Sequence, residues 1–246
     1  DNLLVEPSDY QTYRITAPSD QRLPNGGGYE IADLWNISPA KFGLTRNFVT
    51  RASNFGERTE YWHGVDVNVR ARLRNLTLQG GTSTGRQVTD ECDLIVDNPS
   101  RRNCRVTLPF QTQIKGLASY TIPRIDVQVT GTLQSQPGWE IAANLVVPSA
   151  VVAQTLGRPL AGGAANVTID VLNPGQMYRD RINQVDMRIG KILRFGRTRA
   201  DVGVDVFNLL NSGAVQNSIS TYGANWLRPT LVMPARFAKV GVQLDF

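Results

Sequence analysis

Strict alternation of apolar and polar residues over long segments is the feature that most constrains this chain. Residues 65–73 read Val-Asp-Val-Asn-Val-Arg-Ala-Arg-Leu, and the same period of two recurs in 125–130, 185–189, 202–206 and 240–246. Side chains of a strand point alternately to its two faces, so each segment predicts a strand with one apolar and one polar face. Many of the polar positions are charged, and unpaired charges are costly in a protein core, so this face must meet water.

Seven long strands follow from this alternation. We predict them at residues 57–73, 76–91, 112–122, 125–137, 182–195, 198–210 and 234–246. Tight turns at Arg74-Asn75, Pro123-Arg124 and Gly196-Arg197 join three successive pairs, whereas the other connections (92–111, 138–181 and 211–233) are long. Short turns that alternate with long loops are typical of transmembrane β-barrels.

The lengths of the predicted strands also favour a membrane. About 9–11 residues are needed for a tilted strand to cross a bilayer, and only helices and closed barrels pair all their backbone groups in lipid. No run of 18 apolar residues exists, so a transmembrane helix is not predicted. We predict an all-β chain that forms an antiparallel transmembrane β-barrel segment. Residues 1–56 are an external loop or irregular segment, and residues 57–246 supply the barrel strands. A soluble β-sandwich is the alternative.

The polar faces are predicted to line a lumen. Charged residues at these positions either contact a plug domain or are simply solvated. The predicted lumen-facing residues are Asp66, Arg70, Arg72, Asp186, Arg188, Arg194, Asp201 and Asp205. Aromatic residues near strand ends are typical of the girdles at the two membrane interfaces. Those residues are Tyr61, Trp62, Tyr120, Trp139, Phe195 and Phe246.

The last eight residues, Lys-Val-Gly-Val-Gln-Leu-Asp-Phe, resemble the C-terminal signal of outer-membrane β-barrels. Its elements here are Lys239, Gly241, Leu244 and Phe246. The resemblance implies that the barrel-assembly machinery recognises this strand by pairing with its edge. An ordinary final strand with an aromatic end is the other interpretation.

More of the chain resembles the closing strands of TonB-dependent outer-membrane receptors. The resemblance is carried by residues 181–188, by the Asp-Val-Phe-Asn-Leu-Leu-Asn run at 205–211, and by Asn-Trp-Leu-Arg-Pro at 225–229. The chain as a whole is similar to the C-terminal part of acidobacterial-type, Oar-like receptors, which often carry a carboxypeptidase-regulatory-like domain. The resemblance implies uptake of a scarce ligand such as a siderophore, cobalamin or a glycan. The implied partners are lipid, the remaining barrel strands, a plug domain and the energy-transducing TonB.

The chain departs from that family in three ways. It has no visible TonB box or plug domain, and seven strands are far fewer than the family's 22. We expect a C-terminal fragment or one chain of a split barrel. An eighth strand in 40–53 would instead close a small barrel. A small or multi-chain outer-membrane barrel with a structural or adhesive role is therefore the alternative function.

Cys92 and Cys104 lie 12 residues apart in the first long loop. An even pair in an oxidising compartment predicts a disulfide. The acidic residues Asp90, Glu91, Asp93 and Asp97 lie beside it. They suggest either a calcium site or a solvated loop balanced by Arg101 and Arg102.

Catalysis is not predicted, and neither is any metal or cofactor. The chain has one histidine, His63, and two cysteines, which excludes three-histidine and four-cysteine zinc sites. Residues 81–85 match Gly-x-Ser-x-Gly but lie within a strand, without the helix that a nucleophile elbow requires. Small residues there suit a bend or close packing in the lumen. The net charge of +5 arises from arginines that alternate with acids, so nucleic acid is not a predicted partner.

Overall fold

The computed structural model of the protein describes residues 1–94 and 99–246. The strands are β1 (Tyr10–Thr16), β2 (Glu30–Ile37), β3 (Thr59–Leu73), β4 (Leu76–Asp90), β5 (Arg105–Thr107), β6 (Gln111–Ile122), β7 (Val127–Gln136), β8 (Asn144–Pro148), β9 (Asn166–Asp170), β10 (Ile182–Phe195), β11 (Thr198–Phe207), β12 (Val215–Ser218), β13 (Pro229–Val232) and β14 (Phe237–Asp245), and helix α1 is Ser149–Leu156. The prediction of an all-β, antiparallel chain is confirmed.

Seven long strands form one sheet in the order β3-β4-β6-β7-β10-β11-β14, and the short β5 pairs with β4. They are the seven predicted strands, and their ends differ from the predicted ends by three residues or fewer. Within the described residues the sheet does not close into a barrel, because β3 and β14 lie at its two edges. Residues 40–53, the place considered for an eighth strand, contain no strand and only an isolated bridge from Asn47 to Asn2.

The short connections all lie at one end of the sheet, the turn end, and the long ones at the other, the loop end. The turn between β6 and β7 covers 123–126 and is longer than the predicted Pro123-Arg124 turn. Its Arg124 and Asp126 adopt φ values of 73° and 48°. The apolar–polar alternation therefore continues through residues 125 and 126, although the strand has not yet begun.

The register of the sheet separates its side chains into two chemically distinct faces. Most apolar positions pair with an apolar or small neighbour across the ladder, for example Val67 with Thr82 and Ile189 with Val204. Lys191 is an exception, because it lies at an apolar-face position and pairs with Val202. This apolar face includes Val65, Val67, Val69, Leu73, Leu78, Ile114, Tyr120, Leu133, Ile189, Val202, Val204, Val240, Val242 and Leu244. These side chains are between 36% and 72% exposed, so no layer of described residues covers them.

The opposite, polar face carries all eight residues predicted to face a lumen. The set is Asp66, Arg70 and Arg72 on β3, Asp186, Arg188 and Arg194 on β10, and Asp201 and Asp205 on β11. They lie on one side of the sheet because the side chains of a strand alternate between its faces and the strand register aligns these positions on neighbouring strands.

At the loop end, residues from 1–56 and from the long connections form a compact body. It contains three hairpins, β1–β2, β8–β9 and β12–β13, together with α1. Helix α1 buries Val152 and Leu156 and ends at Gly157, whose φ of 79° suits a left-handed cap. The body has its own apolar core, formed by Tyr13, Ile15, Leu23, Ile31, Ala143, Val147, Val152, Leu156, Leu160, Ile169, Leu172 and Trp226, among others.

Hydrogen bonds connect the β1–β2 hairpin, and the loop between its strands, to the rest of this body. The Arg158 guanidinium donates to Asn36 Oδ1 at 2.7 Å and to the Ile37 carbonyl at 2.8 Å. Asp20 accepts from Arg22 Nη2 at 2.7 Å and from the Tyr222 hydroxyl at 2.8 Å. The segment 1–56, expected to be external or irregular, thus contributes two paired strands that the alternation does not predict.

The Asp20 contact gives the compact body a predictable pH dependence. Hydrogen bonds from Arg22 lower the pKa of Asp20 below its usual range. A carboxylate with a lowered folded pKa stabilises the fold above its unfolded pKa of about 3.9, and this contribution is lost as the pH falls towards the folded value. Asp20→Asn should therefore lower the melting temperature of the body at pH 7, and its deficit relative to wild type should shrink in acid.

Tryptophan fluorescence measures this melting, because Trp226 lies in the same core and 5.4 Å from the Arg22 guanidinium. Glu57→Gln is the control, since Glu57 is exposed. A deficit that stayed constant from pH 7 to below pH 3 would contradict the assignment to the Asp20 carboxylate.

Candidate functional site

The polar face carries an ion-pair network on β10 and β11. Arg188 Nη1 donates to Asp205 Oδ1 at 2.9 Å, and Nη2 donates to Asp201 Oδ1 at 3.1 Å. Gly190 and Gly203, paired across these strands, make room for it. A Cβ at Gly203 would lie 2.9 Å from the Arg188 guanidinium carbon, and one at Gly190 would lie 2.9 Å from Asp201 Oδ1.

The other predicted lumen residues have different surroundings. Asp186 accepts from the Asn208 amide at 2.8 Å, and Arg194 pairs with Asp126 of the β6–β7 turn at 2.5 Å. Within the described parts of the chain, no ion pair joins Asp66, Arg70 or Arg72 to another residue. These three residues lie on the edge strand β3, where they are open to solvent or to a further partner.

A cavity of about 400 Å³ lies on the polar face at the loop end. We call it the glutamine cavity, because the amides of Gln87, Gln111, Gln113 and Gln136 line it; Trp62, Trp139, Glu140 and Tyr178 are also in its wall. The glutamines come from β4, β6 and β7, three adjacent strands. Trp139, Glu140 and Tyr178 come from the long connection between β7 and β10. The cavity therefore lies where the sheet meets the compact body.

The position of Trp62 depends on a pair of glycines. Gly64 and Gly85 face each other across β3 and β4, and a Cβ on either would lie 2.1 Å from the Trp62 ring. The indole therefore lies over the two glycines, on the polar face. Gly85 belongs to the Gly-x-Ser-x-Gly run, so close packing explains that glycine, as anticipated.

The expectation that Trp62 belongs to an aromatic girdle is corrected by its position on the polar face. Trp62 and Trp139 both line the glutamine cavity, whereas Tyr61, Tyr120 and Phe195 occupy positions of the apolar face. The alternation itself could have predicted the position of Trp62. Every second residue of a strand points to the same face, so Trp62 shares its face with Asp66 and Asn68, which are polar-face residues.

A glycine also permits close packing in the opposite wall of the cavity, which is formed by the connection between β7 and β10. Gly138 is buried, and a Cβ there would lie 2.3 Å from the Arg179 carbonyl oxygen. The neighbouring Tyr178 hydroxyl is buried and interacts with the Gln111 side chain, but the contact does not have the geometry of a full hydrogen bond. Burial, together with nearby Glu140, raises the pKa of Tyr178. This phenol is therefore a neutral donor and acceptor at the cavity wall.

The predicted disulfide between Cys92 and Cys104 is confirmed, with 4.8 Å between the Cα atoms. The bridged loop rests on the compact body: the Arg102 guanidinium donates to the Asp170 carbonyl at 2.6 Å, and the Arg101 amide donates to Asp33 Oδ2 at 2.9 Å. The disulfide therefore restrains a loop that joins the sheet to the body.

Removal of this disulfide should loosen the loop. A bridge that closes a loop of this size contributes roughly 3 kcal/mol in the chain-entropy model. We expect the Cys92→Ala/Cys104→Ala variant to be cleaved within 91–105 far faster than the oxidised protein in limited proteolysis, with the sheet intact. Equal cleavage rates for this variant and wild type would show that the contacts to the body hold the loop without the disulfide.

Two of the four acidic residues beside the disulfide, Asp90 and Glu91, are paired with arginines. Glu91 Oε1 lies 2.7 Å from Arg58 Nε, and Asp90 Oδ2 lies 3.5 Å from Arg105 Nε. The counter-charges are thus Arg58 and Arg105, whereas Arg101 and Arg102 were expected. Asp97 lies outside the described residues.

The four residues of the C-terminal signal divide between the two faces of β14. Lys239 pairs with Asp205 and Gly241 pairs with Gly203, so both lie on the polar face. Leu244 lies on the apolar face, and Phe246, two residues later, is 95% exposed. Within the described chain, no strand pairs with the outer edge of β14.

Neither a metal cluster nor a membrane-spanning helix is found in the described residues. No group of three or more His, Cys, Asp or Glu side chains there could hold a metal ion. His63 makes an edge-on contact with the Tyr61 ring at 4.7 Å. No helix within 1–94 and 99–246 has the length and apolar character needed to cross a membrane.

The chain matches no protein-family model and none of the curated proteins compared with it.

Proposed function

We propose that this chain forms part of the wall of an outer-membrane β-barrel of the TonB-dependent receptor type, which takes up a scarce ligand. The observation that carries the proposal is the exposed apolar face of a seven-stranded sheet whose other face is polar and charged. Burial of a Val, Leu or Ile side chain gains about 1.5–3 kcal/mol. Lipid is the environment that would cover such a face without further protein.

The topology supports the same proposal. Short connections at one end and long connections at the other are the arrangement of outer-membrane barrels, with the long loops outside the cell. The sheet has two open edges, and a barrel requires both to be paired. We propose that further strands pair with β3 and β14 and that the polar face encloses a lumen. Arg70 and Arg72 would then be available to a plug domain.

Labelling neighbouring residues of one strand tests the membrane orientation. Leu133 and Gln134 are adjacent on the central strand β7, exposed, and on opposite faces. Each is replaced by Cys and labelled with a fluorophore in the native polypeptide that contains this chain, reconstituted into vesicles with brominated lipid. We expect the lipid to quench the label at 133 strongly and the label at 134 little. Equal quenching at the two positions, or a polypeptide that stays monomeric in water without detergent, would refute the proposal.

The size of the native polypeptide separates the two candidate functions. An antibody against the C-terminal segment detects it on a blot of outer membranes. A band several times larger than 27.1 kDa would support a receptor with its own plug domain. A band at 27.1 kDa would support the alternative, a small or multi-chain barrel.

A further inference from the structure

The glutamine cavity combines flat aromatic rings with neutral amides in one small volume. The Gln113 amide nitrogen donates to Gln136 Oε1 at 3.2 Å, and Gln87 Nε2 donates to Glu60 Oε1 at 2.5 Å. Each glutamine amide can donate two hydrogen bonds and accept two, so both pairs retain unused donors and acceptors. The cavity can thus offer donors and acceptors to a ligand at the same time.

The aromatic component is accessible. Trp62 is 50% exposed and Trp139 is 62% exposed, which is high for residues that line a cavity. Trp62 is also held in place, because its ring packs closely against Gly64 and Gly85, which have no side chain to displace it. A large ring fixed in this way presents apolar area at little entropic cost.

Charge in the cavity is sparse. The one cationic residue in its wall is Arg86. The register pairs Arg86 with His63 on the apolar face, and its guanidinium lies 4.9 Å from the Phe110 ring. The one carboxylate is Glu140, and the Gly175 amide donates a hydrogen bond to it. Among the residues that line the cavity, the polar-face positions of the sheet therefore carry no cation.

We infer that the glutamine cavity binds a neutral saccharide. A sugar ring carries hydroxyl groups that both donate and accept hydrogen bonds, and its C–H faces are apolar enough to lie against an indole. A volume of about 400 Å³ is within the usual range of small-molecule sites. The buried Tyr178 hydroxyl, beside Gln111, provides one more polar group for a ligand. The inference rests on the proposed function, because it makes the cavity a ligand site at the loop end of a barrel.

Titration of the intact polypeptide with defined sugars tests the inference. The protein is extracted in a detergent without a sugar headgroup, and the probes are the hexasaccharides of α-1,4-glucose, β-1,4-glucose and β-1,4-xylose. Isothermal titration and tryptophan fluorescence measure binding. We expect at least one hexasaccharide to bind, and Trp62→Ala and Gln113→Leu each to weaken that binding about tenfold or more.

Two variants provide matched controls. Gln128→Leu replaces a glutamine of β7 that lies on the polar face, as Gln113 does, but near the turn end and away from the cavity. This variant should bind the sugar as the wild type does. Trp62→Phe keeps a ring over the two glycines and should retain most of the affinity. If none of the hexasaccharides binds, or if Gln113→Leu and Gln128→Leu bind equally well, the inference is wrong. A ferric siderophore that bound in competition at this cavity would also overturn it.

The outcomes distinguish this inference from the proposed function. A protein that shows the quenching pattern of 133 and 134 but binds no sugar would retain the barrel and lose the saccharide site. A protein that binds a hexasaccharide through Gln113 but shows equal quenching would have a sugar site on a sheet outside the membrane.

Discussion

Replacement of Ile189 by arginine should destabilise the protein in a bilayer by about 2–4 kcal/mol, the cost of a cation on the lipid side of a barrel near the midplane. Ile189 lies near the centre of β10, pairs with Val129 and Val204, and is 46% exposed on the apolar face. In a water-exposed sheet the same change would cost little, because arginine is well solvated there. The measurement is reversible urea unfolding in lipid vesicles.

Gln134→Arg is the control for this prediction. Gln134 is exposed on the polar face of β7, and a surface substitution of this kind changes stability by about 0.5 kcal/mol or less. Similar unfolding free energies for Ile189→Arg and Gln134→Arg would contradict the proposal that the apolar face lies in a membrane.

Deletion of Phe246 should reduce the amount of assembled protein in the outer membrane about tenfold or more. Burial of a Phe side chain gains about 1.5–3 kcal/mol, and about 1.4 kcal/mol changes an equilibrium tenfold. Phe246 is 95% exposed beside the open edge of β14, so its ring is available to the assembly machinery. Heat-modifiable migration on a gel distinguishes assembled from unassembled protein.

Phe246→Tyr should assemble nearly as well as wild type, because it keeps a terminal ring. Phe195→Ala removes a ring 65% exposed on the apolar face at the turn end. It should leave assembly almost unchanged. If loss of Phe195 and loss of Phe246 reduced assembly equally, general hydrophobicity would explain the effect, and the terminal signal would not.

The strands of the large sheet could be predicted because each encodes its own two faces. Residues 182–195 form β10 as predicted, since the alternation of 185–189 lies at the centre of the strand and turn residues follow it. The alternation breaks at Lys191 and Ile192, where the polar and apolar residues exchange faces. The compact body could not be predicted in this way. Its core joins Tyr13, Val152 and Trp226, which are far apart in sequence, and its hairpins are too short to establish a period.

The candidate site was predictable only in part. The Cys92–Cys104 disulfide followed from the even number of cysteines and the expected oxidising compartment. The placement of charges on the polar face followed from the apolar–polar alternation. The glutamine cavity was missed because Trp62 was grouped with aromatic residues at strand ends, whereas its own parity places it on the polar face. Tyr178 and Trp139 lie in a long connection, where periodicity carries no information about position.

The two open edges of the sheet have a thermodynamic consequence. The backbone donors and acceptors on the outer sides of β3 and β14 meet water or, in the proposed barrel, further strands. In that barrel the folding of the sheet would be coupled to association and would obey mass action. Its stability would increase with the effective concentration of the strands that complete it, and would be highest where a covalent linkage keeps those strands close.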